Sequence, residues 1–272
     1  MRVHVLPLAQ IFAMAATEAA GLRPAERLAR PGGRAIAYHK TAGRSPAVVF
    51  LTGLRSDMTG GKALALEALC QARGQAYLRF DYRGHGQSSG AFEEGTIGAW
   101  REDALEVIDR LTEGSLVLVG SSLGGWLMLL AALARPARVA GLVGIAPAAD
   151  FTEELMWQRL SAEQRAALLD EGILRLPSAY SPEPTPITRT LIEEGRRHLL
   201  LGGPIAYAGP VRLIHALDDP DVPSRTSLRI AERLASGDVE VTLVKCGGHR
   251  LSEPHDLERM CGIVGRLCDQ LG

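Results

Sequence analysis

Ser122 carries the sharpest chemical signal in this sequence. It sits in Gly120-Ser121-Ser122-Leu123-Gly124, behind the β-favouring run Leu116 to Val119 and ahead of helix formers that continue to Ala134. Glycines two residues before and two after a serine let a strand and a helix approach closely around a strained turn, which holds the hydroxyl out as a nucleophile. Ser121 fails the same test, because its flanking positions are Val119 and Leu123. A serine hydroxyl is a poor nucleophile at neutral pH. It needs a general base, and the base needs an acid to orient it. His249, in Cys246-Gly247-Gly248-His249, follows the last apolar run, Val239 to Val244, and is the candidate base. His255 lies further on, in a helix start. Asp218, Asp219 and Asp221 follow the run Val211 to Leu217, and the residues alone leave the acid open among the three. The order serine, aspartate, histidine suits acyl transfer at one edge of a parallel sheet.

Acyl transfer also needs donors for the oxyanion. The N–H of Leu123, directly after the nucleophile, stands at a helix start whose dipole favours negative charge. The loop after Ala47 to Leu51 supplies the second candidate, the N–H of Leu54 behind Gly53. A donor of this kind contributes about 3–4 kcal/mol in the transition state. Asp81-Tyr82-Arg83-Gly84-His85-Gly86 offers further polar groups at a strand end. There the structural reading is preferred. Asp81 can bond loop backbone, the glycines allow positive φ, and the serine-aspartate-histidine order leaves His85 without a role.

These groups can meet only if particular elements carry them. Arg34 to Thr41 alternates apolar and polar residues, as a half-exposed antiparallel strand does. Gly43 to Pro46 reads as a turn, and Ala47 to Leu51 is apolar throughout, as a strand buried on both faces requires. A helix from about Lys62 to Ala72 and a strand near Ala76 to Phe80 follow. Ile97 to Leu111 places Trp100, Ala104, Val107, Ile108 and Leu111 on one helical face. Beyond the serine turn come a strand at Val139 to Ile145, then Val211 to Leu217, a helix at Thr226 to Ala235, Val239 to Val244, and a last helix from about Asp256 to Leu271. This alternation predicts an α/β fold with a mostly parallel sheet covered on both faces.

The chain reads as one domain over residues 1–272 with an insertion at 149–209, too long for an ordinary connection. Glu153 to Leu169 and about Thr188 to Leu200 read as helical, with Pro177, Pro182, Pro184 and Pro186 between them. The insertion is expected to cap the C-terminal edge of the sheet, where open α/β sheets bind ligands. Phe151, Leu155, Met156, Trp157 and Leu160 either shape an acyl pocket there or simply pack the cap onto the core.

Composition narrows the partners. The formal net charge is −1 over 272 residues and no basic stripe appears, so nucleic acid is not an expected partner. Cys70, Cys246, Cys261 and Cys268 match no zinc or C-x-x-C spacing. Three of them fall in apolar helical stretches, and a reducing cytoplasm is the expected location. Met1 to Ala16 is fairly apolar with one early arginine, so a cleaved N-terminal targeting segment is the alternative. No other apolar run is long and uninterrupted enough to span a membrane, and stable membrane insertion is not expected.

With these residues in hand, the chain resembles the α/β-hydrolase superfamily. Within it, the chain is similar to the branch of palmitoyl-protein thioesterases and mycophenolic acid acyl-glucuronide esterases, with their bacterial relatives. The resemblance rests on Leu51-Thr52-Gly53, Arg79-Phe80-Asp81-Tyr82 with Gly84-His85-Gly86, Thr96-Ile97-Gly98-Ala99-Trp100, and Val119 to Ala132 continued by Ala134-Arg135-Pro136. Arg212-Leu213-Ile214-His215, Val222-Pro223 and His249-Arg250 extend it, so that it spans about residues 35 to 270. The resemblance implies an α/β-hydrolase fold with a helical cap, Ser122 as nucleophile and His249 as base. The family's acid lies four residues past the histidine of an H-G-x-x-D-x-x-V-P pattern. Here that pattern reads His215 to Pro223 with Ala216 in place of the usual glycine, which implies Asp219. Thr52 stands where many hydrolases carry histidine. The implied activity is hydrolysis of acyl esters or thioesters through a covalent acyl-enzyme, without metal or cofactor, on a small-molecule or lipid-acyl substrate. An S-acylated protein and an acyl glucuronide are the specific substrates it brings forward. Two rivals stand beside it: a carbon–carbon bond hydrolase with the same triad, and a receptor of the same fold that binds a ligand without chemistry.

Overall fold

A computed structural model describes residues 23–178 and 181–272. The N-terminal stretch offered as an alternative targeting segment lies outside the described residues. In chain order the strands are β1 (Glu26–Ala29), β2 (Ala35–Thr41), β3 (Arg44–Leu51), β4 (Gln75–Phe80), β5 (Leu116–Ser121), β6 (Val139–Ile145), β7 (Ile173–Leu176), β8 (Thr185–Thr188), β9 (Val211–Ala216) and β10 (Val239–Val244). The helices are α1 (Gly61–Arg73), α2 (Ile97–Leu111), α3 (Leu123–Ala134), α4 (Ala162–Glu171), α5 (Arg189–Gly195), α6 (Arg225–Arg233) and α7 (Pro254–Leu271). Eight strands form one sheet in the order β1-β2-β4-β3-β5-β6-β9-β10. β2 runs antiparallel to both its neighbours, and the pairs from β4 to β10 are parallel.

Burial explains the pairing. β3 and β5 are central and buried on both faces, so alternate side chains feed two separate cores. Val49, Leu51, Leu118, Trp100 and Trp126 belong to one, under α2 and α3. Val48, Phe50, Val117 and Val119 belong to the other, under α1 and α7. Cys70, Cys261 and Cys268 are buried in that second core, whereas Cys246 is exposed. Each large apolar side chain removed from water stabilises the fold by about 1.5–3 kcal/mol. α3 is apolar nearly all round because the sheet lies on one side and the inserted segment on the other. Trp126 makes the second contact visible, since its Nε1–H donates to the His198 carbonyl at 3.1 Å.

The structure departs from the expected elements in four places. β1 was not anticipated; only Leu28 of its four residues is buried, so the strand carries almost no pattern. β3 begins at Arg44, inside the stretch expected to be a turn. The helix expected over Glu153 to Leu169 is broken. Thr152–Met156 forms one wide turn, Trp157–Arg159 a tight one, and α4 starts afresh behind Ser161. Ser161 and Gln164 make a reciprocal capping box, which fixes a new helix N-terminus where the composition alone reads as continuous helix. The proline-bearing middle, for which no element was expected, holds the antiparallel pair β7–β8.

The segment between β6 and β9 is clasped at its ends. Asp150 takes a positive φ of 61°, and its carboxylate accepts the N–H groups of Leu200 and Leu201, both at 2.8 Å. Leu160, Leu168, Ile187 and Ile192 form a small core of the segment's own.

Candidate active site

β5 ends at Ser121 and α3 begins at Leu123, which leaves Ser122 on the turn between them. Its φ is 54° and ψ −118°, a strained conformation for a residue with a side chain. Such strain costs about 1–3 kcal/mol and persists only where the surroundings over-determine it. They do so here. The Ser122 N–H donates to the Ile145 carbonyl at 3.0 Å, and the Ser122 carbonyl accepts from Gly125 at 2.9 Å and Ala148 at 3.0 Å. The flanking glycines are obligatory. A Cβ at Gly124 would collide with the carbonyls of Leu51 and Thr52, and one at Gly120 with the carbonyl of Gly124.

The loops after β9 and β10 bring the other two groups to this hydroxyl. His249 Nε2 lies 2.9 Å from Ser122 Oγ, and His249 Nδ1 lies 2.8 Å from Asp219 Oδ2. A carboxylate at Nδ1 requires the proton there, so Nε2 is left as an acceptor facing the serine hydroxyl. The Asp219 side chain is fully buried and its oxygens are saturated. Oδ1 accepts the N–H groups of Asp221 and Val222, each at 2.9 Å, and Oδ2 also faces His215 Nε2 at 3.1 Å. Burial pushes the Asp219 carboxyl up. Hydrogen bonds from His215, His249 and the Val222 amide overcome it and hold the group well below the usual carboxylate range.

The structure therefore separates the three aspartates. Asp219 meets the imidazole. Asp218 accepts the Gly248 N–H at 2.9 Å and so ties down the loop that carries His249. Asp221 lends its N–H to Asp219. Asp219, Asp221 and His249 do place ligand atoms within 4.8 Å of one another, a spacing that could hold a metal ion. The donors already seated on Asp219 suit a hydrogen-bonded acid better than a ligand. His255, at the start of α7, is exposed and contacts Asp256 instead.

Sequence reasoning used His215 only to locate Asp219 and gave it no part in the site. It is fully buried, with Nδ1 2.7 Å from Ser227 Oγ and Nε2 also 3.0 Å from the Val222 carbonyl. The four-residue spacing that pointed to Asp219 also brings His215 Nε2 onto its carboxylate.

The loop after β3 passes beside the serine, where a Cβ on Gly53 would stand 3.4 Å from Ser122 Cβ. Leu123 is the first residue of α3, so its N–H has no partner within the helix. The N–H of Leu54 is likewise unpaired among the described residues. The loop after β3 and the start of α3 thus both come up against Ser122.

A cavity of about 470 Å³ opens from Ser122 and His249. Phe151, Leu155 and Met156 line it. Trp157 does not; Arg165 and Arg196 stack on its ring at 5.3 and 4.9 Å. Leu160 is buried in the small core of the inserted segment. Arg55, Lys62, Arg159 and Arg250 also border the cavity, and of these only Arg250 figured in the sequence reading, as part of the resemblance and without a role. Burial and the Arg250 guanidinium push the Lys62 ammonium down to about 8, against the pull of Asp256. Asp81, Arg83 and His85 stay out of the cavity lining, as expected. Asp81 accepts the N–H groups of Met58 at 2.7 Å and Gln87 at 2.8 Å, and Arg83 pairs with the buried Asp103 at 2.7 Å.

A strained serine on a strand-to-helix turn, a histidine and an aspartate from later loops, and a parallel sheet beneath them define a hydrolase of the doubly covered α/β class. A model described as the Alpha/beta hydrolase family matches residues 48–260, and the chain belongs to that family. The mitochondrial palmitoyl-protein thioesterase ABHD10 of Bos taurus is 44% identical over 245 residues, covering 90% of this chain and 80% of that protein. Its Homo sapiens counterpart is 43% identical over the same length. The solved structure of alpha/beta hydrolase domain-containing protein 10 from mouse superposes with a TM-score of 0.85 at 41% identity, covering 92% of this chain and all of that one. Both thioesterases are named mitochondrial, which lends the expected cytoplasmic location no support.

Proposed function

We propose that the protein is a serine hydrolase of acyl esters and thioesters that works through a covalent acyl-enzyme. The observation that carries this reading is the continuous chain from Ser122 Oγ to His249 Nε2 at 2.9 Å and from His249 Nδ1 to Asp219 at 2.8 Å. His249 takes the serine proton as Oγ attacks the acyl carbonyl. Asp219 stabilises the imidazolium and fixes its orientation. The amides of Leu54 and Leu123 bind the oxyanion. As the tetrahedral intermediate collapses, the imidazolium returns its proton to the departing oxygen or sulfur. Water then attacks the acyl-serine with His249 as base, and the free acid leaves.

The segment at 149–209 serves as a cap over the cavity, and Phe151, Leu155 and Met156 provide its apolar wall. Thioesters of long-chain acids fit that wall, and the relatives named palmitoyl-protein thioesterases favour S-acylated proteins as substrate. The same names favour a targeting role for the N-terminal segment over a cytoplasmic location. Ser122→Ala tests the reading on a short p-nitrophenyl ester and an acyl thioester. Hydrolysis of both should fall to the uncatalysed background, and undiminished turnover would refute the assignment.

A further inference from the structure

Arg55 departs from ordinary backbone geometry, with φ at 56°. The Gly53 carbonyl accepts the Ser56 N–H at 3.1 Å, so Leu54 and Arg55 are the central pair of a tight turn. Positive φ at the second central residue, and not at the first, marks a type II turn, which favours glycine there. An arginine at that position prefers type I, in which the peptide joining the central pair is turned over. Something must hold the rarer form. The N–H of that same peptide donates to His85 Nε2 at 3.2 Å.

His85 is equipped to accept. Nδ1 faces the Arg83 carbonyl at 3.3 Å and donates there, which leaves Nε2 as the lone-pair nitrogen. The ring is 4% exposed and stands edge-on against Tyr82, Phe92 and Trp100. Burial pushes its protonation down to about 4, so the ring is neutral near pH 7. The strand end that bears His85 grips the loop a second time, because Asp81 accepts the Met58 N–H at 2.7 Å. Arg79 completes the grip by donating to the Met58 carbonyl at 2.9 Å. The Asp81 to Gly86 turn is thus a mould for the loop that follows β3.

We propose that His85 is a positioning residue for oxyanion binding: by holding the Leu54–Arg55 peptide against the Asp81 to Gly86 turn, it anchors the loop whose Leu54 amide serves as an oxyanion donor beside Ser122. It acts through that peptide and touches no substrate. The proposal rests on the hydrolase reading above.

Two substitutions and one spectrum test it. His85→Leu removes the acceptor at similar volume, whereas His85→Gln keeps an oxygen that can reach the Arg55 N–H. The leucine variant should lose about 10- to 100-fold in kcat with KM within about twofold, short of the 10²–10³ expected for losing a donor outright. It should bind a trifluoromethyl ketone, which forms a tetrahedral adduct on serine, more weakly by the same factor. The glutamine variant should recover most of both. Unchanged kcat in the leucine variant, or equal losses in both variants that track a falling Tm, would overturn the proposal. The spectrum needs no variant to fold: nitrogen NMR of ring-labelled wild type should show His85 protonated at Nδ1 alone near pH 7, and protonation at Nε2 would overturn it. If Ser122→Ala is inactive and the ketone binds wild type, yet His85→Leu is unaffected, the positioning role alone falls.

Discussion

At the scale of single residues, the site turns on which groups have their protons and lone pairs committed. Ser122 and His249 were legible because their chemistry depends on local signals: glycines on either side of a strained turn, and a histidine just past the last strand. The acid was not legible from the residues, since Asp218, Asp219 and Asp221 share one loop. Only tertiary contacts tell them apart, and the family pattern reached Asp219 by analogy. Asp219→Asn should therefore lower kcat by about 10⁴-fold, because an amide can hold the imidazole in the wrong tautomer. Asp218→Asn, at an exposed position that ties the Gly248 amide, should cost less than about tenfold. Steady-state kinetics on one thioester compares them, and a larger loss in the Asp218 variant would reverse the assignment. Asp219 also sets a pH dependence. Its folded carboxyl lies below the ordinary range, so the stabilisation is complete above the unfolded value of about 3.9 and is lost as pH falls toward the folded one. Between about pH 5 and pH 2, denaturant titration should show wild type losing more stability than Asp219→Asn. Parallel slopes would show that the carboxylate is not held as described.

At the scale of elements, periodicity found what burial enforces. Val48 to Leu51 and Leu116 to Val119 feed cores on both faces, so their unbroken apolar character marked them as central strands. The wide turn at Thr152–Met156 and the capped start of α4 were invisible for the opposite reason. Good helix formers continue through that stretch, and a reciprocal contact between Ser161 and Gln164 decides where the new helix begins. The hairpin β7–β8 hid behind prolines, which a short two-stranded ribbon tolerates. The elbow's glycines are sterically required, so Gly124→Ala should destabilise the protein by at least about 1–3 kcal/mol, as overpacking does, with loss of activity. A variant with unchanged Tm and full turnover would contradict the close approach of α3 to β3. The turn at Asp81 has the opposite pH sign to Asp219. Burial raises its carboxyl to about 6, so between roughly pH 4 and 6 the folded state holds a proton that the unfolded chain has released. Wild type should lose about 2–3 kcal/mol relative to Asp81→Asn as pH rises through that window. Urea titrations near pH 4 and pH 7 measure it, and a difference that grows the other way would contradict the buried, doubly bonded carboxylate.

At the scale of the whole molecule, the sheet edge, the inserted segment and the cavity act together. Of the five apolar residues offered as either pocket wall or packing, three serve both roles, since Phe151, Leu155 and Met156 also pack against the main core. Phe151, Leu155 and Met156 face the cavity, while Trp157 and Leu160 hold the segment together. No pattern in the sequence could divide them, because the break at residues 152–161 sets their directions. Leu155→Ala should shift the preferred acyl chain length with little change in Tm. Leu160→Ala should lower stability by about 2–5 kcal/mol and leave the chain-length profile alone. Profiles taken over a series of acyl thioesters, beside thermal melts, separate the two; a shifted profile in the Leu160 variant and none in the Leu155 variant would reverse the roles. The account as a whole depends on one hydroxyl being made reactive by a histidine and an aspartate from distant loops. Labelling with a fluorophosphonate followed by peptide mapping tests this most directly. The adduct should form on Ser122 and not on Ser121, and His249→Ala should abolish it. A protein that hydrolyses acyl thioesters while Ser122 stays unlabelled, or that carries the adduct elsewhere, would contradict it.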